Sequence, residues 1–304
     1  MDMKQIERKL QSISGSLFVS LPRSWVNQYK LDKGSKVDME LAKDGRIILA
    51  PSLHREKQVW KSTINYDQTF YRRFFRDYLK GNDFITILFK KKLSPKERKN
   101  IFDFLDKLMN VHVVEETSEK LVLQSFKLAE LSVKQCLKRM FFLTKNMFDE
   151  LIESNDSSKI NEIDVSVSKY YYILILQIRR FLEEGQFTHD SEVSIISSVD
   201  IRMISEKIER VGDIIKYLSS KKMKRELKPL AQLVFDKYVK AVNSYFTKNF
   251  EKAASLWQDE VEVRNEFRKA RKQYVKEKSI ENIENLNQLF NIFKFGKEIA
   301  NIVR

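Results

Sequence analysis

Apolar residues recur at the helical period almost throughout the C-terminal part of the chain. Between Val133 and Leu151 they fall at i, i+3, i+4 and i+7, the spacing of one face of an amphipathic helix. The same period continues to the end of the chain. It predicts two successive sets of three long helices, about 90 residues each, which form an internal repeat. The predicted helices run from 131 to a break at 155, then over 160–184, 191–220, 230–258, 262–276 and 279–303.

The first 54 residues follow a different pattern. Leu17, Val19 and Leu21 alternate with polar residues, as in a half-buried strand, and Pro22 suits the first turn of a helix. The elements predicted are strands over Arg8–Ser12, Leu17–Leu21, Val37–Leu41 and Arg46–Leu49, a helix over Ser24–Tyr29 and a turn at Asp44-Gly45. So short a segment buries too little apolar surface to be stable alone. We therefore expect a homodimer, most simply through hairpins that interlock across a two-fold axis.

Between these two parts, residues 55–125 mix the helical and the strand period. Ser94, Pro95 and Glu97 form a helix start, with Ser94 at the N-cap. The other elements predicted are strands over Val59–Ile64, Phe84–Phe89, Val111–Val114 and Leu121–Leu123 and a helix over Gln68–Leu79. The run Lys90–Lys92 could contact phosphates, but such runs are usually solvated loops. This region is therefore predicted to be a small α/β domain.

The fold class predicted is thus a multidomain, mainly α protein. Its parts are an N-terminal hairpin domain at 1–54, the α/β domain at 55–125 and a helical domain at 126–304. The two helical repeats are expected at about 126–222 and 228–304.

Composition narrows the class of protein. Hydrophobic residues make up 42% and charged residues 32%, with seven Gly and four Pro, which indicates a helix-rich folded protein. The single cysteine, Cys136, excludes an internal disulfide and fits a reducing cytoplasm. The chain has no apolar run of about 18 residues, so no membrane insertion is expected. The net charge of +14 divides as +3 over 1–54, +5 over 55–124 and +6 over 125–304, so charge alone supports a nucleic-acid partner only weakly.

Catalytic residues form no recognisable constellation. His54, His112 and His189 are far apart in the sequence, and none belongs to a triad or to a metal-protease motif. The seven glycines are scattered singly, so no glycine-rich phosphate loop is present. We therefore expect that the protein is not an enzyme.

The N-terminal segment resembles the AbrB/SpoVT family of swapped-hairpin DNA-binding domains. The residues that carry the likeness are Gly15–Leu17, Ser20–Trp25, Leu31–Val37 and the turn Asp44-Gly45. The resemblance implies a dimer, and it implies DNA as a partner. Basic residues of the segment would then contact phosphates, and the predicted DNA-binding residues are Lys4, Arg8, Lys9 and Arg23. The alternative is a module that only assembles the chain, as some members of this family do.

The helical repeat resembles PhoU, the regulator of phosphate uptake, whose triplets end in a Glu-Arg-Ile-Gly-Asp type of helix. The first triplet has Ile208-Glu209-Arg210-Val211-Gly212-Asp213, and the second has its counterpart in the run from Ile292 to Ile302. Gly212 and Gly296 lie mid-helix, where glycine costs about 1 kcal/mol relative to alanine, so close helix packing is expected at both. The whole architecture looks like that of archaeal PhoU-type regulators.

The acidic motif suggests a metal site. Glu209 and Asp213 are four residues apart and so lie on one helix face, and the resemblance to PhoU implies a divalent or iron-type metal held by such pairs. Glu162 and Asp164 are predicted as supplementary ligands. The second triplet has Phe293 and Lys297 at the acidic positions, so no metal is expected there. Alternatively, Glu209 and Asp213 are ordinary surface charges.

Two functions follow from these resemblances. The first is a cytoplasmic, dimeric, DNA-binding regulator of phosphate uptake, whose helical domain senses a metal, phosphate or a protein partner. The alternative is a PhoU-like adaptor that binds a phosphate transporter ATPase or a sensor protein and does not bind DNA. The two differ in whether the basic residues from Lys4 to Arg23 contact DNA.

Overall fold

A computed structural model describes residues 7–41, 45, 47–52, 59–126, 131–184, 193–221 and 223–304. The chain divides into two compact units, residues 1–58 and 59–304, which are treated separately below. Among the described residues, no helix is long and apolar enough to cross a membrane. The predicted fold class is confirmed: the chain is mainly helical, with N-terminal hairpins, a small sheet and a C-terminal helical bundle. The predicted domain boundaries at 54 and 125 stay predictions.

Unit 1 (residues 1–58) consists of two β-hairpins and one short helix. The elements are β1 Gln11–Ile13, β2 Ser16–Phe18, α1 Arg23–Gln28, β3 Val37–Leu41 and β4 Ile47–Pro51. Ser14 and Gly15 both have positive φ, 49° and 81°, as a tight two-residue hairpin turn requires. Pro22 is the N-cap of α1 rather than its first helical residue. The second predicted turn lies partly outside the described residues, because only Gly45 of it is described.

Unit 2 (residues 59–304) begins with a four-stranded sheet. Its elements are β5 Lys61–Asn65, α2 Phe70–Leu79, β6 Phe84–Leu88, α3 Pro95–Leu105, β7 Val111–Glu116 and β8 Lys120–Ser125. The strand order is β5-β6-β8-β7, with β5 parallel to β6 and the other pairs antiparallel. Ser94 and Glu97 form the predicted capping box at the start of α3. Buried residues of α2 and α3 pack with those of the sheet into one apolar core.

The rest of unit 2 is a bundle of two three-helix repeats. The helices are α4 Val133–Glu153, α5 Ser157–Glu184, α6 Ile195–Ser220, α7 Lys228–Thr247, α8 Phe250–Lys276 and α9 Ile280–Ala300, and a 3-10 turn covers Arg225–Leu227. Within each repeat the three helices pack on one another, and α6 packs on α9 between the repeats. Phe148 of α4 also stacks on Phe235 of α7, with ring centroids 3.8 Å apart. Buried residues of these six helices form one large core.

One predicted helix boundary is wrong. The pattern predicts a helix over 230–258 and a new one from 262, but α7 ends at Thr247 and α8 begins at Phe250. Lys248 takes the left-handed conformation, with φ at 52°, and the Asn249 side chain accepts a hydrogen bond of 2.9 Å from the backbone N–H of Lys252. The break is therefore made by an asparagine N-cap, and a lysine with positive φ takes the place of a glycine.

The two mid-helix glycines differ in how closely their neighbours approach. A Cβ at Gly296 would lie 3.1 Å from the Cα of Tyr238, a backbone atom of α7, so only glycine fits this crossing well. A Cβ at Gly212 would lie 3.6 Å from the Thr144 methyl group, which is ordinary contact. The expected close packing is confirmed at Gly296 and is wrong at Gly212.

Candidate functional site

The basic residues predicted to contact DNA lie on exposed parts of unit 1. Arg8 and Lys9 precede β1, and Arg23 is the first residue of α1. None of the three forms an ion pair with a carboxylate of the described part of the chain. Lys4, the fourth predicted residue, lies outside the described residues. The three described cations are therefore available to an anionic partner.

The apolar residues of unit 1 are exposed too. No described residue of this unit is buried, and both apolar cores of the chain are built from residues of unit 2. Leu17 is 70% exposed and Leu41 76%, so the prediction that Leu17 and Val19 are half-buried is wrong for the single chain. The other exposed apolar residues of unit 1 are Leu10, Ile13, Phe18, Val19, Met39, Ile47 and Ile48. Contiguous exposed apolar surface of this kind marks an interaction site.

In unit 2 the acidic motif lies on α6, and α5 brings a third carboxylate near it. Glu209 and Asp213 are one turn apart on α6, and Asp164 of α5 is close enough to raise the pKa of both. Asp164 is buried and accepts a hydrogen bond of 2.7 Å from Lys216 Nζ. Glu162 is exposed on α5 and contributes to neither shift. The structure thus brings together three of the four predicted metal residues.

Burial and mutual repulsion control the charge of this acidic cluster (Asp164, Glu209 and Asp213). Desolvation, followed by the negative charges of Asp213 and Asp164, raises the pKa of Glu209 to about 7. The pKa of Asp213 is also raised, first by desolvation and then by Asp164. Tyr172 of α5 is near enough to feel the cluster, because its pKa is raised to about 12, first by burial and then by the charge of Glu209. Glu209 is therefore part-protonated at neutral pH.

The fit of this cluster to a metal is incomplete. Within the described ranges, no group of three or more His, Cys, Asp or Glu side chains is arranged so that it could hold a metal ion. Asp164 is already neutralised by Lys216, which leaves Glu209 and Asp213 as a carboxylate pair. Ca²⁺ takes six to eight oxygen ligands, more than this pair supplies, whereas Mg²⁺ is often held by one or two carboxylates with waters in its other positions. The metal at Glu209 and Asp213 therefore stays a prediction.

The equivalent place in the second repeat is filled by the protein itself. Phe293 is buried in the core, and Lys297 lies 3.7 Å from the ring centroid of Trp257. Lys297 Nζ also donates to Glu260, whose pKa is lowered first by this hydrogen bond and then by one from Arg264. The positions that carry carboxylates in the first repeat therefore serve packing and an ion pair in the second.

Tyr172 and Lys216 also belong to this site, although neither is part of the acidic motif that the sequence shows. Tyr172 joins the cluster because α5 packs against the sheet layer, where its ring meets Phe75 with centroids 4.9 Å apart. Lys216 follows Asp213 by three residues, which is a helix-face spacing that can be seen in the sequence. Its bond to Asp164 depends on the packing of α5 on α6, which sequence alone does not give.

The chain is similar in two places to known proteins. Residues 10–57 match the family of the bacterial antitoxin MazE, described as antidote–toxin recognition. Among solved structures, PhoU from Pseudomonas aeruginosa aligns with 56% of this chain and 93% of its own, at 17% identity and a TM-score of 0.47. None of the curated proteins matches the chain. The resemblances inferred from the sequence are to these same two kinds of protein, since the MazE domain is AbrB-like.

Proposed function

We propose that the protein is a dimeric, DNA-binding regulator of phosphate uptake. The observation that carries the proposal is the surface of unit 1, where exposed apolar hairpins accompany Arg8, Lys9 and Arg23, three cations that pair with no carboxylate in the described part of the chain. A second copy that interlocks its hairpins with these would cover the apolar residues and complete a core. The dimer would then display each cation twice, as two tracks of DNA phosphates require.

The helical bundle is proposed as the part that senses state. Its motif around Glu209 and Gly212 resembles that of PhoU, and this likeness supports phosphate uptake as the regulated process. The acidic cluster is a place in the bundle where a signal could act, because the raised pKa of Glu209 lets the net charge of the cluster change with proton binding near neutral pH. Catalysis is not part of the proposal.

The proposal is tested by DNA capture with the purified full-length protein. Genomic fragments that the wild type retains should be bound far more weakly by a variant with alanine at Arg8, Lys9 and Arg23. The matched control carries alanine at Lys90, Lys91 and Lys92, which removes the same number of charges from an exposed loop of unit 2. The control variant should bind as the wild type does. Equal retention by wild type and the unit 1 variant would contradict DNA contact.

The adaptor is the second candidate function, and a specific surface favours it. Trp257, Val261 and Val275 are exposed on α8, where they are free to meet a protein partner. Under this proposal the partner is a phosphate transporter ATPase or a sensor, and unit 1 only joins two chains. A variant with alanine at the three unit 1 cations would then regulate normally although it lacks them.

A further inference from the structure

A groove with a basic rim runs between α8 and α9 in the second repeat. Its cavity measures about 160 Å³. Three arginines of α8 stand around it, and apolar side chains of both helices form its floor. The residues used below are Arg264, Phe267, Arg268 and Arg271 on α8 and Leu286 and Phe290 on α9. We refer to this cavity and its lining as the α8–α9 groove.

The floor of the groove is anchored in the core. The rings of Phe267 and Phe290 lie 5.1 Å apart between centroids, and Phe290 in turn contacts the buried Phe293 at 6.1 Å. Leu286 is also buried. A dry apolar cavity of about 150 Å³ accepts a benzene-sized group. The α8–α9 groove therefore has room for one aromatic or branched aliphatic side chain.

The rim offers positive charge that the described chain leaves unpaired. Arg264 is held by Glu260, with Nε 2.8 Å from a carboxylate oxygen, and lies over the Phe290 ring. Arg268 and Arg271 are exposed, and neither forms an ion pair with a carboxylate of the described ranges. From 264 to 276, six residues are basic and one is acidic. A guanidinium of this kind binds a carboxylate through two parallel hydrogen bonds.

Ordinary helix chemistry does not account for these arginines. Cations stabilise the negative end of a helix dipole within its last turn, but Arg268 and Arg271 precede the last turn of α8. Val261 and Val275 lie seven residues before and after Arg268, so all three share one face of the helix. Val261 is 65% exposed and Val275 55%. Exposed arginine flanked by exposed apolar residues is typical of a protein interface.

The first repeat shows what covers a helix in this position. There α5, the middle helix, is packed by α2 of the sheet layer, and Leu176 of α5 belongs to the core of the sheet. The middle helix of the second repeat, α8, packs on α7 and α9. Among the described residues of unit 2, no element packs on the outer surface of α8 as α2 packs on α5.

We propose that the α8–α9 groove docks an acidic segment of a partner protein. One large apolar side chain of that segment enters the cavity, and flanking carboxylates bind Arg268 and Arg271. A DNA duplex has no apolar side chain to fill the cavity, and free phosphate would leave the aromatic floor uncovered. This proposal goes beyond DNA binding by unit 1 and does not depend on it.

Binding of a labelled peptide to the full-length protein tests the proposal. The probe is a short fluorescein-labelled peptide of glutamate, aspartate and alanine around one central phenylalanine, followed by fluorescence anisotropy. Arg268→Glu with Arg271→Glu should weaken binding by roughly tenfold or more, because two charge-assisted contacts are lost. The matched control, Lys269→Glu with Lys272→Glu, changes the same charge on residues outside the lining. It should change affinity clearly less than the arginine variant does, because neither lysine lines the groove and the direct contacts to carboxylates are kept.

The remaining outcomes separate the alternatives. A probe with alanine in place of phenylalanine should bind much more weakly, and equal binding would reduce the groove to a non-specific basic surface. Displacement of the probe by inorganic phosphate at low concentration would indicate a small-anion site and overturn the proposal. Displacement by duplex DNA that depends on Arg268 and Arg271 would indicate nucleic acid instead. Equal loss in both charge-reversal variants, or no binding by the wild type, would also contradict it. Peptide binding by the groove is independent of DNA binding by unit 1, so the outcome of the DNA-capture experiment does not change these expectations.

Discussion

Gly212 in α6 and Gly296 in α9 hold the same place in their repeats, so the residues around them can be compared position by position. Three residues before the glycine stands Glu209 in one repeat and Phe293 in the other, and one residue after it stand Asp213 and Lys297. The first repeat has crowded carboxylates with raised pKa values. The second has a buried ring and a lysine paired with Glu260.

The third helix of a repeat therefore packs in the bundle with or without the acidic residues. In the second repeat Phe293 is buried in the core, and Lys297 forms an ion pair with Glu260. The second repeat has an exposed basic surface instead, on the outside of α8, where Arg268 and Arg271 have no carboxylate partner in the described chain. The perturbed carboxylates thus lie on α6 in the first repeat, and the exposed arginines lie on α8 in the second.

The largest effect is expected when the glutamate of the first repeat, Glu209, is introduced at the equivalent position of the second repeat, Phe293. Phe293→Glu should lower the free energy of unfolding by about 4 kcal/mol or more, because it removes a buried ring and buries a carboxylate. Urea denaturation measures the effect. Lys294→Glu, on an exposed neighbour, should cost little. A Phe293→Glu protein as stable as Lys294→Glu would show that the second repeat can still hold an acidic site.

Alanine should have opposite effects on stability at the two mid-helix glycines. Gly296→Ala should lower the free energy of unfolding by about 1–2 kcal/mol, because the new methyl group meets the Tyr238 backbone. Gly212→Ala should raise it by up to about 1 kcal/mol, because the methyl group fits beside Thr144 and alanine favours the helix. Thermal unfolding of the two variants measures both. Effects of equal sign would contradict the difference in packing.

The pH dependence of stability should have opposite signs in the two repeats. The folded pKa of Glu209, about 7, lies above its ordinary value of 4.5, so the folded state keeps a proton that the unfolded state loses. The contribution of Glu209 to stability should therefore become less favourable as pH rises from about 4.5 through 7. Glu209→Gln removes this loss and should be more stable than the wild type by about 2 kcal/mol at high pH, with little difference below pH 4.5.

Glu260 provides the opposite case. Its pKa is lowered by Lys297 and Arg264, so its stabilisation is present above the unfolded pKa and is lost as pH falls through the folded one. Glu260→Gln should accordingly be less stable than the wild type at neutral pH. Urea titrations of chelator-treated protein across this range measure both variants. The same sign for Glu209→Gln and Glu260→Gln at neutral pH would refute the assignment.

Metal content is the smallest expected difference between the repeats. If Glu209 and Asp213 hold a metal, alanine at both should reduce bound metal to background in elemental analysis. Alanine at Glu260 and Glu262, an acidic pair of the second repeat, should leave the metal content unchanged. Equal metal in the wild type and the Glu209/Asp213 variant would sink the predicted site.

Much of the helical fold could be predicted because its signals are local. The residues at the helical spacing in α4 are all buried, and the Ser94 capping box forms as its spacing predicts. These residues are Val133, Cys136, Leu137, Met140, Phe141, Thr144, Met147, Phe148 and Leu151. The break at Lys248 escaped prediction because neither glycine nor proline marks it. The exposure of Leu17 in the single chain could not be predicted from an alternating pattern alone, because the pattern shows which residues share a strand face and does not show what covers that face.

The candidate site was predictable only in part. Helix spacing places Glu209 beside Asp213, but the neutralisation of Asp164 by Lys216 depends on how α5 packs on α6. The arginines of α8 do carry a signal in the sequence. Arg264, Arg268 and Arg271 are spaced at i, i+4 and i+7, which places them on one face of α8. That this face borders a groove depends on how α9 packs beside it, which the sequence alone does not give.

The salt dependence of DNA binding tests the central claim most directly. Arg8, Lys9 and Arg23 of both protomers, if they neutralise phosphates, contribute about −5 to the slope of log K against log salt in the wild type. Alanine at all three should therefore make the slope shallower by about 5, with the contribution of Lys4 left in place, and alanine at Lys90, Lys91 and Lys92 should leave it at the wild-type value. An unchanged slope in the unit 1 variant, with binding retained, would contradict the account.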